Sequence, residues 1–375
     1  MNLKQYLSEL EYLVNIDSGQ DCPEGIRQIA EFFKEKFDRL GWHTELTDLA
    51  PMTGPCLICT NREAERYDLL MIGHIDTVFE KGTAASRPFR IEGDRAYGPG
   101  VADMKQGALM MYYVISELPS EVTEKLNIAV VFNPDEEIGS IYSAKVYERY
   151  AKRAEHALIY ESSGTDGARC IERKGRVTFR AEFLGVDGHC GYKLGSNMRS
   201  AISEMARWII ALDGLESRER NTSVNIGVAH GGTVSNVVAK NAYIEADIRF
   251  SDPSEAEKIE KLLEKLLTDS AKNGIAAHIR NKNAKPALVP SKKAITFAER
   301  VKNISEEIGV PICYRARGGL SDANIIASYG AVCIDGMGPA GDFDHCDKEL
   351  LLLDTVLPSF KLSSKIIKSM AKSNV

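Results

Sequence analysis

The sequence predicts an α/β protein with a smaller α+β domain inserted into it. Three observations carry that prediction. Short apolar runs without alternation, DLLMIG (68–73), NIAVVFN (127–133) and HALIYE (156–161), are separated by helical segments. From residue 176 to 281 the pattern changes to alternating strands and amphipathic helices in the order βαββαβ. After residue 284 the first pattern resumes and ends in a helix.

Residues 3–16 and 24–39 place apolar side chains at helical spacing, and Gly41 follows the second run as a stop signal. An unbroken apolar run is expected of a parallel strand buried on both faces. ALMMYYVISEL (108–118) reads as a helix between two such strands. Strands alternating with helices imply a parallel sheet covered on both sides. In the insert, RVTFRAEFLG (176–185), TSVNIGVAH (222–230), NVVAKNAYIEADIRF (236–250) and IAAHIRN (275–281) read as strands. Residues 196–212 and 253–272 read as helices. That order is the ferredoxin-like unit. The expected division is 1–175, 176–284 and 285–375, the first and last parts forming one domain.

The chain has 375 residues, 44% hydrophobic and 27% charged, with a formal charge of −6. This is ordinary for a two-domain globular enzyme. No basic run is present, so nucleic acid and anionic membrane are poor partners. No apolar stretch is long enough to span a bilayer, and the N-terminus lacks a secretory pattern. The eight scattered cysteines fit reduced thiols in a cytoplasm. Cys56-x-x-Cys59 could form a redox or zinc pair, but PCLICT reads as a strand and favours a buried core.

Polar residues follow the buried strands, where open α/β sheets bind ligands. His74 and Asp76 follow DLLMIG, Asp103 follows the Gly-rich YGPGVAD, and Asp135, Glu136 and Glu137 follow NIAVVFN. Glu161 follows HALIY, and His345 lies in GDFDHCD. Each alone has an ordinary reading, as a hydrogen-bonded histidine or a solvated acidic loop. Together they make a dinuclear zinc-type set, since zinc takes imidazole and carboxylate and two metals can share one carboxylate. Without cations so many acids would repel one another and be costly to desolvate.

Taken in order, GHIDTVF, YGPGVADMKQG, NPDEEIGS, Glu161, GHCG, GGTVSN, EADIR, GGLSDA and His345 resemble the M20 family of zinc peptidases, most of all its glutamate carboxypeptidase group. The resemblance spans essentially the whole chain. It implies two Zn2+ per subunit, with Co2+ or Mn2+ also suited to the ligands. His74, Asp103 and Glu161 match the ligands of one metal, and Asp103, Glu137 and His345 those of the other. Glu136 matches the general base and Asp76 the carboxylate that orients His74. The insert resembles a lid and dimerisation domain, so a homodimer is expected. His189 there matches a histidine that stabilises the oxyanion in the partner's site. Asn236 and Arg249 match residues that hold the substrate's carboxylate. For Arg249 the rival is an exposed ion pair, and for Asn236 a turn residue after Gly231-Gly232.

The implied activity is hydrolysis of an amide bond in a small peptide or N-acyl amino acid, releasing a C-terminal amino acid, with glutamate one candidate. Glu161 stands where carboxypeptidases and deacylases of the family have Glu and aminopeptidase-like members have Asp. The alternatives are an N-acyl-amino-acid deacylase, a dipeptidase or aminopeptidase, and a non-catalytic metal or amino-acid binding protein. Gln106, Cys190, Ala239 and Cys346 depart from the usual pattern; Cys346 offers a soft ligand next to His345, but the resemblance favours His345. Arg315 and Arg317 precede GGLSDA and read as surface charges rather than as a pocket for an acidic side chain.

Overall fold

The computed structural model describes residues 1–49 and 53–373. The chain divides into two compact units. One comprises Met1–Glu172, Pro290–Arg317 and Ser321–Val375, and the other Arg173–Val289 and Gly318–Leu320. Among the described residues no helix is long and apolar enough to cross a membrane.

The first unit is built on a six-stranded sheet. Its order is His43–Thr47, Cys56–Thr60, Ile128–Asn133, Tyr67–His74, Ala154–Ile159, Val332–Ile334. The last four strands are parallel. The first two are antiparallel, so the sheet is mixed where the sequence predicts a parallel one. The reason is the connection. Only residues 48–55 join His43–Thr47 to Cys56–Thr60, and a parallel crossover needs roughly a dozen residues or more.

Every residue of Cys56–Thr60 and Ile128–Asn133 is buried. Helices lay apolar stripes on this sheet. Phe33 of Pro23–Arg39 stacks on Phe132 with ring centroids 4.3 Å apart, and Tyr150 of Ala144–Ala151 packs on Tyr67 at 5.7 Å. Each such side chain contributes about 1.5–3 kcal/mol by leaving water. Cys56 and Cys59 are both fully buried. Three residues apart on a strand, they point to opposite faces, and all eight cysteines are free thiols.

The second unit is an antiparallel sheet in the order Ser223–Gly231, Asn241–Phe250, Gly175–Leu184, Ala276–Lys285. Helices Ala201–Asp213 and Ser254–Lys272 join its core through Trp208, Leu212, Ile259 and Leu263. The chain order is the expected ferredoxin-like βαββαβ. Two details differ. The run 236–250 breaks in two, because Val237–Val238 pairs with Gly188–His189 while Asn241–Phe250 joins the main sheet. The Ala239 and Lys240 carbonyls between them accept from Ala201 N–H at 2.8 Å and Gly185 N–H at 2.7 Å. The helix expected from residue 196 starts at Ala201, where the Ser200 side chain accepts from Ser203 N–H as a cap.

Candidate active site

Tyr67–His74 pairs on one side with Ile128–Asn133 and on the other with Ala154–Ile159. The chain thus reverses direction across the sheet, and a crevice opens at the strands' carboxyl ends. His74 ends the first strand, residues 135–137 follow the second, and Glu161 follows the third.

Asp103 comes from the loop before helix Lys105–Ser116. Gly107 lets that helix lie against the third strand's end, since a Cβ there would sit 1.9 Å from the Tyr160 carbonyl oxygen. The Asp103–Met104 peptide is cis. The loop is held by Glu349, which is 1% exposed. Its carboxylate accepts from the N–H groups of Gly100 (2.9 Å), Ala102 (2.8 Å) and Asp103 (3.0 Å). Burial, offset in part by these bonds, pushes Glu349 up to about 7.

The Asp103 carboxylate lies between two imidazoles. His74 Nε2 is 2.9 Å from Oδ1, and His345 Nε2 is 3.0 Å from Oδ2. His345 Nε2 is also 3.4 Å from Glu137 Oε2, and His74 Nε2 is 3.7 Å from Glu161 Oε1. One donor atom from each of His74, Asp103 and Glu137 lies within 4.8 Å of the others. The five predicted donors therefore come together. Cys346 does not compete, because its thiol donates to the Phe343 carbonyl at 3.1 Å.

Asp76 does more than accompany His74. Its Oδ1 is 3.4 Å from His74 Nδ1, farther than its own backbone carbonyl at 3.1 Å. The carboxylate instead accepts from Glu136 N–H (3.2 Å) and Glu137 N–H (3.0 Å), tying the acidic loop to the histidine strand. Asp135, by contrast, is a structural cap. It accepts from Tyr142 N–H at 2.6 Å and the Ser143 hydroxyl at 2.5 Å. Asp322 of GGLSDA holds both ends of the same loop, accepting from Asn133 at 2.9 Å and Ser140 at 2.5 Å.

The donor set fits divalent cations. The Asp76 carbonyl can only accept, so His74 carries a proton on Nδ1 and presents Nε2 to the acids as the atom that can bind a cation. Glu137 Oε1 is buried and takes no hydrogen bond. The protonation pattern agrees. Burial raises Glu137 to about 8 and, with the Asp103 charge, Glu161 well above the carboxylate range. Hydrogen bonds to Asp103 and Glu137 raise His345 to about 11. Burial opposes charge on His74, yet Asp103 and Asp76 raise it well above the usual imidazole value. Burial likewise opposes charge on Asp103, but the two histidines keep it below the usual range. Protons thus hold together a cluster whose lone pairs suit metal ions. Glu136 is among the charges pushing Glu161 up, which puts its carboxylate nearby.

His189, Asn236 and Arg249 belong to the second unit. His189 and Asn236 are brought together: Val237 pairs with His189, and Asn236 O accepts from Cys190 N–H at 3.0 Å. His189 Nδ1 accepts from Gly191 N–H at 3.2 Å, leaving Nε2 as the donor. Arg249 is in the ion pair named as its rival reading. Its Nε and Nη2 lie 3.1 and 3.2 Å from the two Asp247 oxygens. Arg315 pairs with Asp166 at 2.5 Å on the surface, whereas Arg317 is partly buried and donates to the Ser162 carbonyl at 2.9 Å.

Comparison with known proteins accords with this geometry. The sequence model of Peptidase family M20/M25/M40 matches residues 70–369. Carboxypeptidase G2 of Pseudomonas sp. (strain RS-16) is 28% identical over 348 residues, 91% of this chain and 83% of its own. Succinyl-diaminopimelate desuccinylase of Stenotrophomonas maltophilia (strain R551-3) is 28% identical over 308 residues, 76% of this chain and 79% of its own. The crystal structure of aminopeptidase PepT from Bacillus cereus shares the fold, with a TM-score of 0.79 at 24% identity over 99% of both chains. The match over most of its length makes this chain a member of peptidase family M20/M25/M40, a metal-dependent hydrolase.

Proposed function

We propose that the protein hydrolyses the amide bond that joins a C-terminal amino acid with a free carboxylate to a peptide or acyl group. The observation that carries this reading is the Asp103 carboxylate facing His74 with one oxygen and His345 with the other, with Glu137 and Glu161 beside them. In this reading His74 and Glu161 would hold one divalent cation and Glu137 and His345 a second, with Asp103 available to both. Two cations, zinc by preference, would polarise the scissile carbonyl and acidify water. Glu136 takes the proton of the attacking water and returns it to the leaving amine. Asp76 keeps Glu136 and Glu137 in place through their N–H groups. His189, donating from Nε2, is assigned to the oxyanion, from a second copy in a homodimer. Arg249 and Asn236 are assigned to the substrate carboxylate, for which the planar guanidinium fork is suited.

The likeness to carboxypeptidase G2 and the Glu at position 161 favour this reading. The likeness to a desuccinylase supports a second, N-acyl-amino-acid deacylation by the same machinery. A screen of the zinc-loaded protein against peptidyl and N-acyl amino acids, with free and amidated C-termini, tests both. Release of the C-terminal amino acid only when its carboxylate is free supports the proposal, and the preferred acyl group separates the two readings. Equal turnover of amidated substrates would refute the carboxylate requirement.

A further inference from the structure

In the segment that follows Glu161, the first unit buries a guanidinium that forms no ion pair among the described residues. Arg169 lies in the short strand Ala168–Arg169 and is 3% exposed. Among the described residues its side chain has one hydrogen-bond partner, the Ser359 hydroxyl, 3.5 Å from Nη2. Its Nε and Nη1 find no acceptor. The groups that act on it most strongly are the Tyr314 and Tyr160 phenols, the Cys313 thiol and a second guanidinium, Arg317. The Tyr314 hydroxyl is committed elsewhere, donating to the Ala298 carbonyl at 2.9 Å.

Nearby hydroxyls are also unspent. The Tyr160 hydroxyl lies beside Ser363, and neither oxygen has a well-formed hydrogen bond. Ser359 and Ser363 are one turn apart on helix Val356–Ser373, 2% and 0% exposed. Ser359 donates to the Gly338 carbonyl at 3.3 Å, whereas the Ser363 hydroxyl, on a helix face whose Leu362 and Ile366 join the apolar core, has no such partner among the described residues. The Arg169 guanidinium and the Tyr160 and Ser363 hydroxyls thus have hydrogens left to donate, and none carries negative charge.

An isolated buried charge costs far more than an unmade hydrogen bond, and removal of a buried ion's partner is strongly destabilising. Arg169 cannot escape by neutralising. Burial lowers it only to about 10, so it stays charged at neutral pH. Undonated hydrogens beside buried positive charge select an anion.

We propose that Arg169, with the hydroxyls of Tyr160 and Ser363, forms an internal site for a small anion of the halide class. Because Tyr160 directly precedes Glu161, the bound anion braces the strand end that presents this acid. The site is separate from the candidate metal donors and independent of the reaction proposed above.

The test uses the full-length protein with halide salts. Crystals grown in bromide should show an anomalous peak within hydrogen-bonding reach of Arg169 Nε or Nη1. In solution, exchanging gluconate for chloride at constant ionic strength should raise the melting temperature by roughly 2 °C per tenfold chloride once binding begins. Arg169→Gln should lose that response. A water in place of the anomalous peak overturns the proposal. So does a peak with no chloride-specific stabilisation in solution, which is binding at crystal concentration only. An Arg169→Gln protein that keeps the response overturns it too. If that variant does not fold, the wild-type map and melting series decide.

Discussion

Glu349→Ala probes how Asp103 is held. The substitution removes an acceptor that serves three N–H groups, those of Gly100, Ala102 and Asp103. At 1% exposure, little water is at hand to replace it. Each orphaned buried donor costs about 1–3 kcal/mol. Partial relaxation of three donors leaves a loss of about 3–6 kcal/mol. At about 2.1 cal/mol/K per residue, a chain of this size shifts by roughly 1.3 °C per kcal/mol, and the melting temperature should fall by roughly 4–8 °C. The looser Asp103 should also weaken metal binding about 10–100-fold, the usual effect of losing a group that orients a ligand. The assay pairs thermal denaturation with chelator competition at pH 8, above the value of about 7 to which burial raises Glu349. Glu349→Gln, which keeps the shape and one acceptor oxygen, should fall between. A Glu349→Ala protein that melts within 2 °C of the wild type and holds metal equally well would refute the reasoning.

Three further outcomes are expected. Glu136→Gln should retain metal while losing about 10²–10⁴-fold in turnover; undiminished kcat would remove Glu136 as the base. Arg249→Lys should raise KM for substrates with a free carboxylate by about tenfold or more, because a lysine cannot pair with two oxygens at once; an unchanged KM would leave Arg249 as the partner of Asp247 alone. Metal binding at pH 7 should release protons, measurable by calorimetry in buffers of different ionisation enthalpy. Glu137, raised to about 8 from an ordinary 4.5, and His345, raised to about 11, are protonated in the metal-free protein. The sign for metal-free stability follows from Glu137: its contribution is greatest below pH 4.5 and is lost as pH rises toward 8. Binding without proton release would contradict the protonated cluster.

The donors were legible in the sequence because each sits where local pattern puts it. His74, Glu137 and Glu161 come just after buried apolar runs, and Asp103 opens a helix behind a glycine-rich turn. Glu349 was not legible. In CDKELLLLD it reads as a surface charge beside Lys348. It is aimed at residues 100–103 only because Leu350–Leu352 pairs with Arg95–Tyr97, a contact between distant parts of the chain. Asp322 escaped for the same reason, reaching Asn133 across 189 positions. The antiparallel edge strands were missed because burial on both faces hides direction: an apolar run reads alike either way. The break after Val238 was hidden because two residues are too few to show a period. Arg249 shows another limit, since Asp247 two residues away on the same strand face was visible but its hold on the guanidinium was not.

The wide spacing of the donors along the chain has a consequence for biosynthesis. Four of them have been made by residue 161, while His345 and its neighbour Glu349 come only after the whole second unit, residues 173–289. At about 5–20 residues per second, the earlier four wait roughly 10–40 s for the fifth. A nascent chain therefore carries an unfinished set, with Asp103 lacking both its second imidazole and the carboxylate that secures its loop. On the reading proposed above, hydrolytic competence waits for His345, and a product that stops before it would lack that competence.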